Sequence, residues 1–294
     1  MIKDLLKKIK KSLHRKSKKN QTNIRIIKGR FDIKYIVYSF SALDNHIIKY
    51  GILNDWIPLN LNKFIPKNGV VFDVGANAGL LTLPFAKIHV PQGTVYAFEP
   101  DRQMARQLQI NILLNELENV VFVPCALQDN FLIDELTFYI RRAIDGDGLA
   151  NCGLSTTLQM PIHNVKKERV LSSTIDRYVE ENSISKIDFI KIDVEGAESK
   201  VLLGSISTIK KDTPVILYEF SSVTDKLANL TNGLDSFNIL KDIGYKQYEI
   251  VHEKYLREIE KPSHIMGDVN IICFHDSKVP SSISEYFGEN NGNH

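Results

Sequence analysis

Residues 70–80 have the sequence VVFDVGANAGL, a short apolar strand pattern that ends in a glycine-rich turn. In a doubly wound α/β sheet, such a turn lies at the carboxyl end of its strand, where ligands bind. Gly75 permits a tight turn and a close backbone approach, and Gly79 lets the following helix pack against the strand. The GxNxG spacing differs from the GxGxxG that fits a dinucleotide pyrophosphate. On its own the turn indicates either a ligand site or simple chain reversal.

Short apolar runs alternate with helical patterns along most of the chain. Strand-like runs lie at residues 70–74, 94–98, 120–123, 187–192, 215–220, 245–251 and 269–274. Helical patterns lie at 79–88, 101–115, 174–182, 197–210 and 234–243. This alternation predicts an α/β fold with a largely parallel, doubly wound sheet covered on both faces. The connection between the last two strands has no clear helical period, which favours antiparallel pairing of the last strand.

Composition divides the chain into four predicted segments. They are a basic amphipathic tail at 1–20, an N-terminal cap or lid at 21–66, a main domain at 67–280 and a flexible C-terminal tail at 281–294. The cap contains strand-like runs at 23–27 and 32–38 and a helical pattern at 42–52. Within the main domain, residues 126–169 interrupt the alternation with a strand-like run at 136–141 and a glycine-rich loop. We predict that they form a β-hairpin and loop insertion on the substrate side.

The basic tail dominates the charge distribution. It holds nine Lys or Arg residues against one Asp, whereas the whole chain has a net charge of only +2. Its apolar residues recur at three- and four-residue spacing, which would form one stripe on a helix. Three interpretations remain open: a solvated or partner-docked extension, a helix on an anionic membrane surface, or a nucleic-acid contact.

Several classes of protein are disfavoured by what the sequence lacks. No apolar run approaches the roughly 18 residues needed to span a bilayer, and lysines interrupt the apolar residues of the N-terminus where a secretory signal would lie. The three cysteines, Cys125, Cys152 and Cys273, form no CxxC pair, which favours a reducing compartment. The sequence therefore predicts a cytoplasmic protein, with the tail as the segment that would contact the inner membrane surface.

Two further acidic residues follow the second and third strand-like runs. Glu99 ends the second run 24 residues after Gly75, where a carboxylate can accept both hydroxyls of a ribose. Its alternative role is a charge at the N-terminus of the next helix. Asp129 follows the third run, where it could accept a hydrogen bond from an exocyclic amine or form a surface turn.

Residues 188–198 have the sequence DFIKIDVEGAE and place three carboxylates within six residues. Asp193 lies at the carboxyl end of a central strand, beside the first strand if the order is doubly wound. Such a cluster could orient a nucleophile, hold a divalent cation or cap a helix. For Glu195 and Glu198, a charge at a helix N-terminus is an equally good explanation.

The motifs at 72–79, 97–100, 173–176, 188–198 and 217–219 resemble, in order, those of the FkbM-type S-adenosylmethionine-dependent methyltransferases. The resemblance covers about residues 68–222. It implies a Rossmann-like class I methyltransferase fold with a seven-stranded sheet, S-adenosyl-L-methionine as cofactor, and methyl transfer to a hydroxyl of a sugar, glycan or natural product. It implies Gly75, Asn77 and Gly79 as cofactor-loop residues, Glu99 as the ribose ligand and Asp129 as an adenine contact. We also predict Asp73, which ends the strand before this loop, as a cofactor-binding residue.

A hydroxyl acceptor must lose its proton, which requires a general base within hydrogen-bond reach. Three candidates are Asp193, Glu219 at the end of the next strand, and His163 in the insertion. Asp193 with Glu195 or Glu219 could instead bind Mg²⁺ through hard carboxylate oxygens. Because the sequence has no recognisable metal-ligand spacing, we predict no metal site.

Two other functions use related layouts. An oxidoreductase that binds NAD or a nucleotide sugar would share the strand, turn and acid, but it should have GxGxxG and commonly a Tyr and Lys on one helix. An RNA-directed methyltransferase is favoured by the basic tail alone, and no Asp/Asn-Pro-Pro-aromatic motif is present. O-methyl transfer to a small molecule or glycan is the prediction that accounts for most of the motifs.

Overall fold

The computed structural model describes residues 24–38, 41–53, 56–130, 132–140, 143–144, 150–151, 155–158, 165–221, 231–252, 254–265 and 267–287. The basic tail, the candidate base His163 and the last seven residues lie outside these ranges. Predictions about them are therefore not addressed by the structure.

Fifteen strands are formed by the described residues. They are β1 (Ile24–Lys28), β2 (Lys34–Tyr38), β3 (Val70–Val74), β4 (Thr94–Phe98), β5 (Val120–Val123), β6 (Cys125–Leu127), β7 (Glu135–Ile140), β8 (Ala143–Ile144), β9 (Ala150–Asn151), β10 (Lys166–Ser173), β11 (Phe189–Ile192), β12 (Val215–Ser221), β13 (Tyr245–Val251), β14 (Tyr255–Glu258) and β15 (Asp268–His275).

The same described residues form eight helices. They are α1 (Ala42–Tyr50), α2 (Trp56–Asn60), α3 (Thr82–Pro84, continued by a π turn at Phe85–His89), α4 (Arg102–Leu114), α5 (Ile175–Glu181), α6 (Glu198–Leu203), α7 (Ile206–Asp212) and α8 (Asn232–Asp242). Short 3₁₀ turns lie at Arg30–Asp32, Leu61–Lys63, Pro262–His264, Asp276–Lys278 and Ile283–Tyr286. Among the described residues, no helix combines the length and apolarity needed to cross a bilayer.

The central sheet has the order β14-β13-β15-β12-β11-β3-β4-β5. Strands β5, β4, β3, β11 and β12 are mutually parallel, while β15 runs antiparallel between β12 and β13. The predicted α/β, Rossmann-like class I fold and its antiparallel last strand are confirmed. The sheet has eight strands rather than seven, because β14 adds an edge strand antiparallel to β13. Leu256 is the single buried residue of β14. The sequence of this strand has no apolar run, and it was therefore not predicted.

The core lies on both faces of this sheet. On β11, Phe189 packs in the cluster on one face, while Ile190 and Ile192 pack in the cluster on the other. Tyr218 and Phe220 of β12 are buried core residues on the second face, as alternation predicts. Asp73, Lys191 and Glu219 therefore share the face of the sheet opposite to these two aromatics.

Two predicted elements differ from those observed. The helical pattern at 197–210 forms two helices, α6 and α7, separated at Gly204 and Ser205; a Cβ on Gly204 would approach Gln128 O to 2.0 Å. The insertion contains the antiparallel pairing of the predicted hairpin, β7 with β10 and β8 with β9, but β10 also pairs parallel with β6, so that three strands form one sheet. The sequence did not reveal β10, because half of its residues are charged and it has no apolar run.

The N-terminal cap packs against α4 through buried amides. Ile36 N donates to Asn111 Oδ1 at 2.7 Å, and Asn111 Nδ2 donates to Ala78 O at 2.8 Å. Gln107 Nε2 donates to Ile36 O and to Asp44 Oδ1, both at 3.0 Å. These contacts tie the cap to the glycine-rich turn after β3.

We predict that Gln107→Ala destabilises the protein by about 1–3 kcal/mol, because it leaves the buried Asp44 carboxylate and Ile36 carbonyl without this donor. Urea unfolding followed by circular dichroism measures the change. Gln109→Ala, on an exposed position of the same helix, should change the free energy of unfolding by less than about 0.5 kcal/mol. Equal effects of the two substitutions would contradict the role of this network.

Candidate active site

A cavity of about 340 Å³ opens at the carboxyl ends of β3, β4, β11 and β12. The turns after these strands form its floor, β6 forms one wall, and Leu43 and Leu53 of the cap contribute apolar contacts. Ser155 and Thr157 of the insertion also line it. The volume lies in the range typical of small-molecule sites.

The turn after β3 is held tightly against its neighbours. The amides of Gly75 and Ala76 both donate to Phe98 O, at 3.1 and 3.0 Å. Gly75 has a φ of +78°, and a Cβ there would lie 1.8 Å from Asp193 O. Asn77 also has a positive φ, and its Oδ1 accepts from Ala78 N at 2.7 Å. The glycine is therefore required for the backbone to approach β11 so closely.

Glu99 is buried at the end of β4 and faces the cavity. Its Oε2 accepts from Asn77 N and its Oε1 accepts from Asp101 N, both at 2.7 Å. Burial raises the pKa of Glu99 to about 8. Each carboxylate oxygen retains acceptor capacity after these backbone bonds, so Glu99 can bind a pair of ligand hydroxyls.

Beneath the turn, Lys191 lies opposite Asp73 in the register of β11 and β3. Its Nζ is 3.5 Å from Asp73 Oδ1 and 3.3 Å from Asp193 Oδ2, and it donates to Gly75 O at 2.9 Å. Burial lowers the pKa of Lys191, but the carboxylates of Asp193 and Asp73 outweigh burial and hold this pKa above its usual value. Lys191 is therefore a buried ammonium ion.

Asp73 does not line the cavity. It is fully buried, and its Oδ2 accepts from Thr82 Oγ1 at 2.5 Å. The structure thus makes Asp73 a partner of Lys191 and of α3, and does not bring it to the position of a direct ligand contact.

Three carboxylates gather at the other end of the cavity. Oxygen atoms of Asp193, Glu195 and Glu219 lie within 4.8 Å of one another. The side chain of Asp193 is 39% exposed. The neighbouring Asp193 carboxylate, together with burial, raises the pKa of Glu219 to about 10. Both causes favour the protonated form of Glu219 at neutral pH.

Glu198, the last acid of this motif, has a structural role. It is 2% exposed and accepts from Val194 N, Gly196 N and Asn232 Nδ2. These bonds fix the loop between β11 and α6. Glu198 is the first residue of its helix, as a charge at a helix N-terminus would be, but its hydrogen bonds go to the preceding loop.

Besides Asp73, two more predicted cofactor residues are not brought to the cavity. A Cβ on Gly79 would lie 2.5 Å from Leu108 Cδ1, so this glycine serves close packing against α4. Asp129 is exposed and borders a separate surface groove with Thr174 and Arg177. The reason is that Gln128 N donates to Ser173 O, which extends the β6–β10 pairing past the cavity. Residues Cys125–Leu127 line the cavity instead.

Sequence reasoning missed Lys191. The signal was a lysine within a four-residue strand that is otherwise apolar, since lysine is almost never buried unless it is paired. It also missed Asn270, which reaches the cavity because β15 pairs with β12 at Glu219. Asn270 gives no sequence signal, because the pairing joins segments about fifty residues apart.

Comparison with known families gives one match over most of the main domain. The family described as the methyltransferase FkbM domain matches residues 73–246, more than half of the chain. This range contains the turn after β3, Glu99, the residues around Lys191 and Glu219.

Two curated relatives illustrate the similarity. The chain is 32% identical over 155 residues to 31-O-demethyl-FK506 methyltransferase FkbM of Streptomyces tacrolimicus, covering 46% of this chain and 58% of that protein. It is 29% identical over 163 residues to 2-O-methyltransferase NoeI of Sinorhizobium fredii, covering 52% and 63%. The alignments thus span about three-fifths of the length of these two relatives.

Among solved structures, the chain is similar to a crystal structure of methyltransferase FkbM from Methylobacillus flagellatus. It aligns with a TM-score of 0.44 at 16% identity, covering 71% of this chain and 44% of that one.

We predict that Glu219 carries a proton at pH 7 and ionises only near pH 10, because its pKa is raised and the neutral form is the one favoured below that value. The infrared difference spectrum between wild type and Glu219→Gln should show the C=O stretch of a protonated carboxyl group at pH 7. The band should disappear as the pH rises through about 10. Asp129→Asn, which removes an exposed carboxylate, should remove no such band. A carboxylate spectrum for Glu219 at pH 7 would contradict the assignment.

Proposed function

This chain belongs to the FkbM methyltransferase family, and from that premise we propose that it transfers a methyl group from S-adenosylmethionine to a hydroxyl oxygen of a sugar, glycan or natural-product acceptor. The observation that carries the proposal is Glu99, a buried carboxylate with spare acceptor capacity at the mouth of the cavity and directly beside the Gly75 turn.

The residues present fit the cofactor. Glu99 offers two oxygens to the ribose hydroxyls, while Met104, Ala126 and Leu127 provide apolar surface in the same cavity. Gly75 lines the same cavity, and its lack of a Cβ lets the turn lie directly against Asp193 O. When bound, the cofactor supplies an already activated methyl group on a sulfonium, so the protein has mainly to position the acceptor oxygen.

Asp193 is the general base that we propose. Its carboxylate is exposed to the cavity, and the ammonium of Lys191 fixes its position from below. Glu219 already holds a proton at neutral pH, so it can donate a hydrogen bond to the acceptor but cannot accept the proton of its hydroxyl. His163 lies outside the described residues and stays a prediction.

Hydroxyl oxygen as the acceptor atom is supported by the names of two relatives, a 31-O-demethyl-FK506 methyltransferase and a 2-O-methyltransferase. The cavity also presents polar side chains: Asn270, which pairs with Glu219 in the sheet, and Ser155 and Thr157 of the insertion. These groups suit an acceptor with several hydroxyls. Peripheral contact of the basic tail with an anionic membrane stays a prediction, as does the division into cap, main domain and tails.

We predict that the affinity for S-adenosylhomocysteine increases as the pH rises towards about 8, by up to about tenfold per pH unit. Ribose hydroxyls donate to an ionised carboxylate, and the free protein holds Glu99 protonated below its raised pKa of about 8. Calorimetric titration between pH 6.5 and 9 measures this dependence.

The Glu99→Gln variant should bind more weakly and lose the pH dependence, and Asp129→Asn should behave as wild type. Equal affinities of the wild type across the whole range would contradict the role of Glu99. Titration with NAD⁺ in the same series tests the oxidoreductase alternative.

We expect Asp193→Asn to lower kcat by about 100-fold or more, because it removes a general base, and to change the dissociation constant of S-adenosylhomocysteine by less than about threefold. A panel of sugars, glycans, hydroxylated natural products and RNA, assayed with methyl-labelled cofactor, provides the acceptor. Asp129→Asn is the matched control. Full activity of Asp193→Asn would exclude Asp193 as the base, and transfer to RNA alone would overturn the proposed acceptor class.

A further inference from the structure

Lys191 is the most deeply buried cation beside the cavity among the described residues. It is the third residue of β11, all four residues of which are buried, and it is itself 5% exposed. Burying an ammonium costs several kcal/mol unless its charge and its N–H groups are matched. The neighbours of Lys191 provide that match.

Three acceptors surround the Lys191 ammonium, each from a different part of the site. Gly75 O belongs to the turn after β3, Asp193 belongs to the acidic end of the cavity, and Asp73 lies buried in the adjacent strand. Asp73 is in turn bonded to Thr82 at the start of α3. One side chain thus connects the two functional halves of the cavity.

The contact between these halves is also sterically tight. A Cβ on Gly75 would meet Asp193 O at 1.8 Å, so the turn and the end of β11 touch through backbone atoms. Without the ammonium, Gly75 O would lose a donor, and the Asp73 and Asp193 carboxylates would lose the cation between them. Both the shape of the turn and the charge of the cavity floor would then change.

We propose that Lys191 is a positioning residue that holds the Gly75 turn and Asp193 as one unit and sets the charge that the cavity presents to its ligand. The inference rests on the proposed function, because it assumes that the cavity binds S-adenosylmethionine. It assigns to Lys191 an action through Asp193 and Gly75, not a contact with the acceptor.

If the Lys191 ion pair had only a structural role, its replacement would affect ligand binding differently. Replacing a buried ion pair by apolar groups often leaves stability unchanged or improved, and it alters the binding of related ligands by similar factors. S-adenosylmethionine and S-adenosylhomocysteine differ by one methyl group and one positive charge on sulfur. The ratio of their affinities therefore reports the charge of the site.

The experiment is calorimetric titration of Lys191→Met with both ligands, with Lys278→Met as the matched control. Lys278 also donates to backbone oxygens, those of Asp212 and Thr213, but it is not part of the cavity. We expect Lys191→Met to bind S-adenosylhomocysteine about tenfold more weakly, as for loss of a charge-assisted hydrogen bond. Because Asp193 is then uncompensated, the affinity ratio should shift about tenfold towards the cationic ligand. Lys278→Met should match wild type.

Two double variants distinguish the proposed role of Lys191 from a general loss of folding. Lys191→Met/Asp73→Asn removes the fully buried carboxylate that would otherwise lose its cation, and it should keep the shifted ratio. Lys191→Met/Asp193→Asn should return the ratio to the wild-type value while S-adenosylhomocysteine stays weakly bound.

The outcomes separate the two proposals. Failure of the wild type to bind either ligand would overturn the proposed function. Binding by the wild type with an unchanged affinity ratio in both Lys191→Met and Lys191→Met/Asp73→Asn would overturn the role of Lys191 alone.

Discussion

The Lys191 ammonium, enclosed by Asp73, Asp193 and the Gly75 carbonyl, is the interaction on which the arrangement of the site depends. It lies where β3 and β11 run side by side, and register places Lys191 opposite Asp73. The turn after β3 can approach β11 only because Gly75 lacks a Cβ. That same turn supplies Asn77 N to Glu99. The buried charge, the tight turn and the orientation of Glu99 therefore form one connected structure.

The surroundings of each acidic residue then determine its charge and its contacts. Asp193 is balanced by Lys191 and remains open to the cavity, whereas Glu219, crowded by Asp193, retains its proton. The carboxylate of Glu198 accepts hydrogen bonds from backbone amides of its own loop. The four carboxyl groups thus have different surroundings: Glu198 holds its loop, and we propose Asp193 as the base, Glu219 as a hydrogen-bond donor and Glu99 as the acceptor for ribose hydroxyls. Their environments, more than their residue types, decide these roles.

Sequence predicted the parallel strands closely, because buried strands such as 70–74 and 94–98 are continuous apolar runs bounded by turns. It placed Gly75, Asn77, Glu99 and Asp193 at strand ends, and strand ends meet at one edge of a parallel sheet. It could not predict β10 or β14. These segments have no apolar run, and they form strands because they pair with neighbouring strands. Asp129 shows the same limit, since pairing of β6 with β10 carries it away from the cavity. The one sequence signal for Lys191 was a lysine within an otherwise apolar strand.

The cap extends these constraints beyond the main domain. Its contacts with Asn111 and Gln107 of α4 accompany Leu43 and Leu53, which line the cavity together with the turn after β3. The most direct test of the account is a crystal structure of the protein with S-adenosylhomocysteine. We predict that the ribose hydroxyls bind Glu99 and that Lys191 keeps its contacts with Gly75 O and Asp193. A nucleoside bound away from Glu99, or a cavity left empty at saturating ligand, would contradict it.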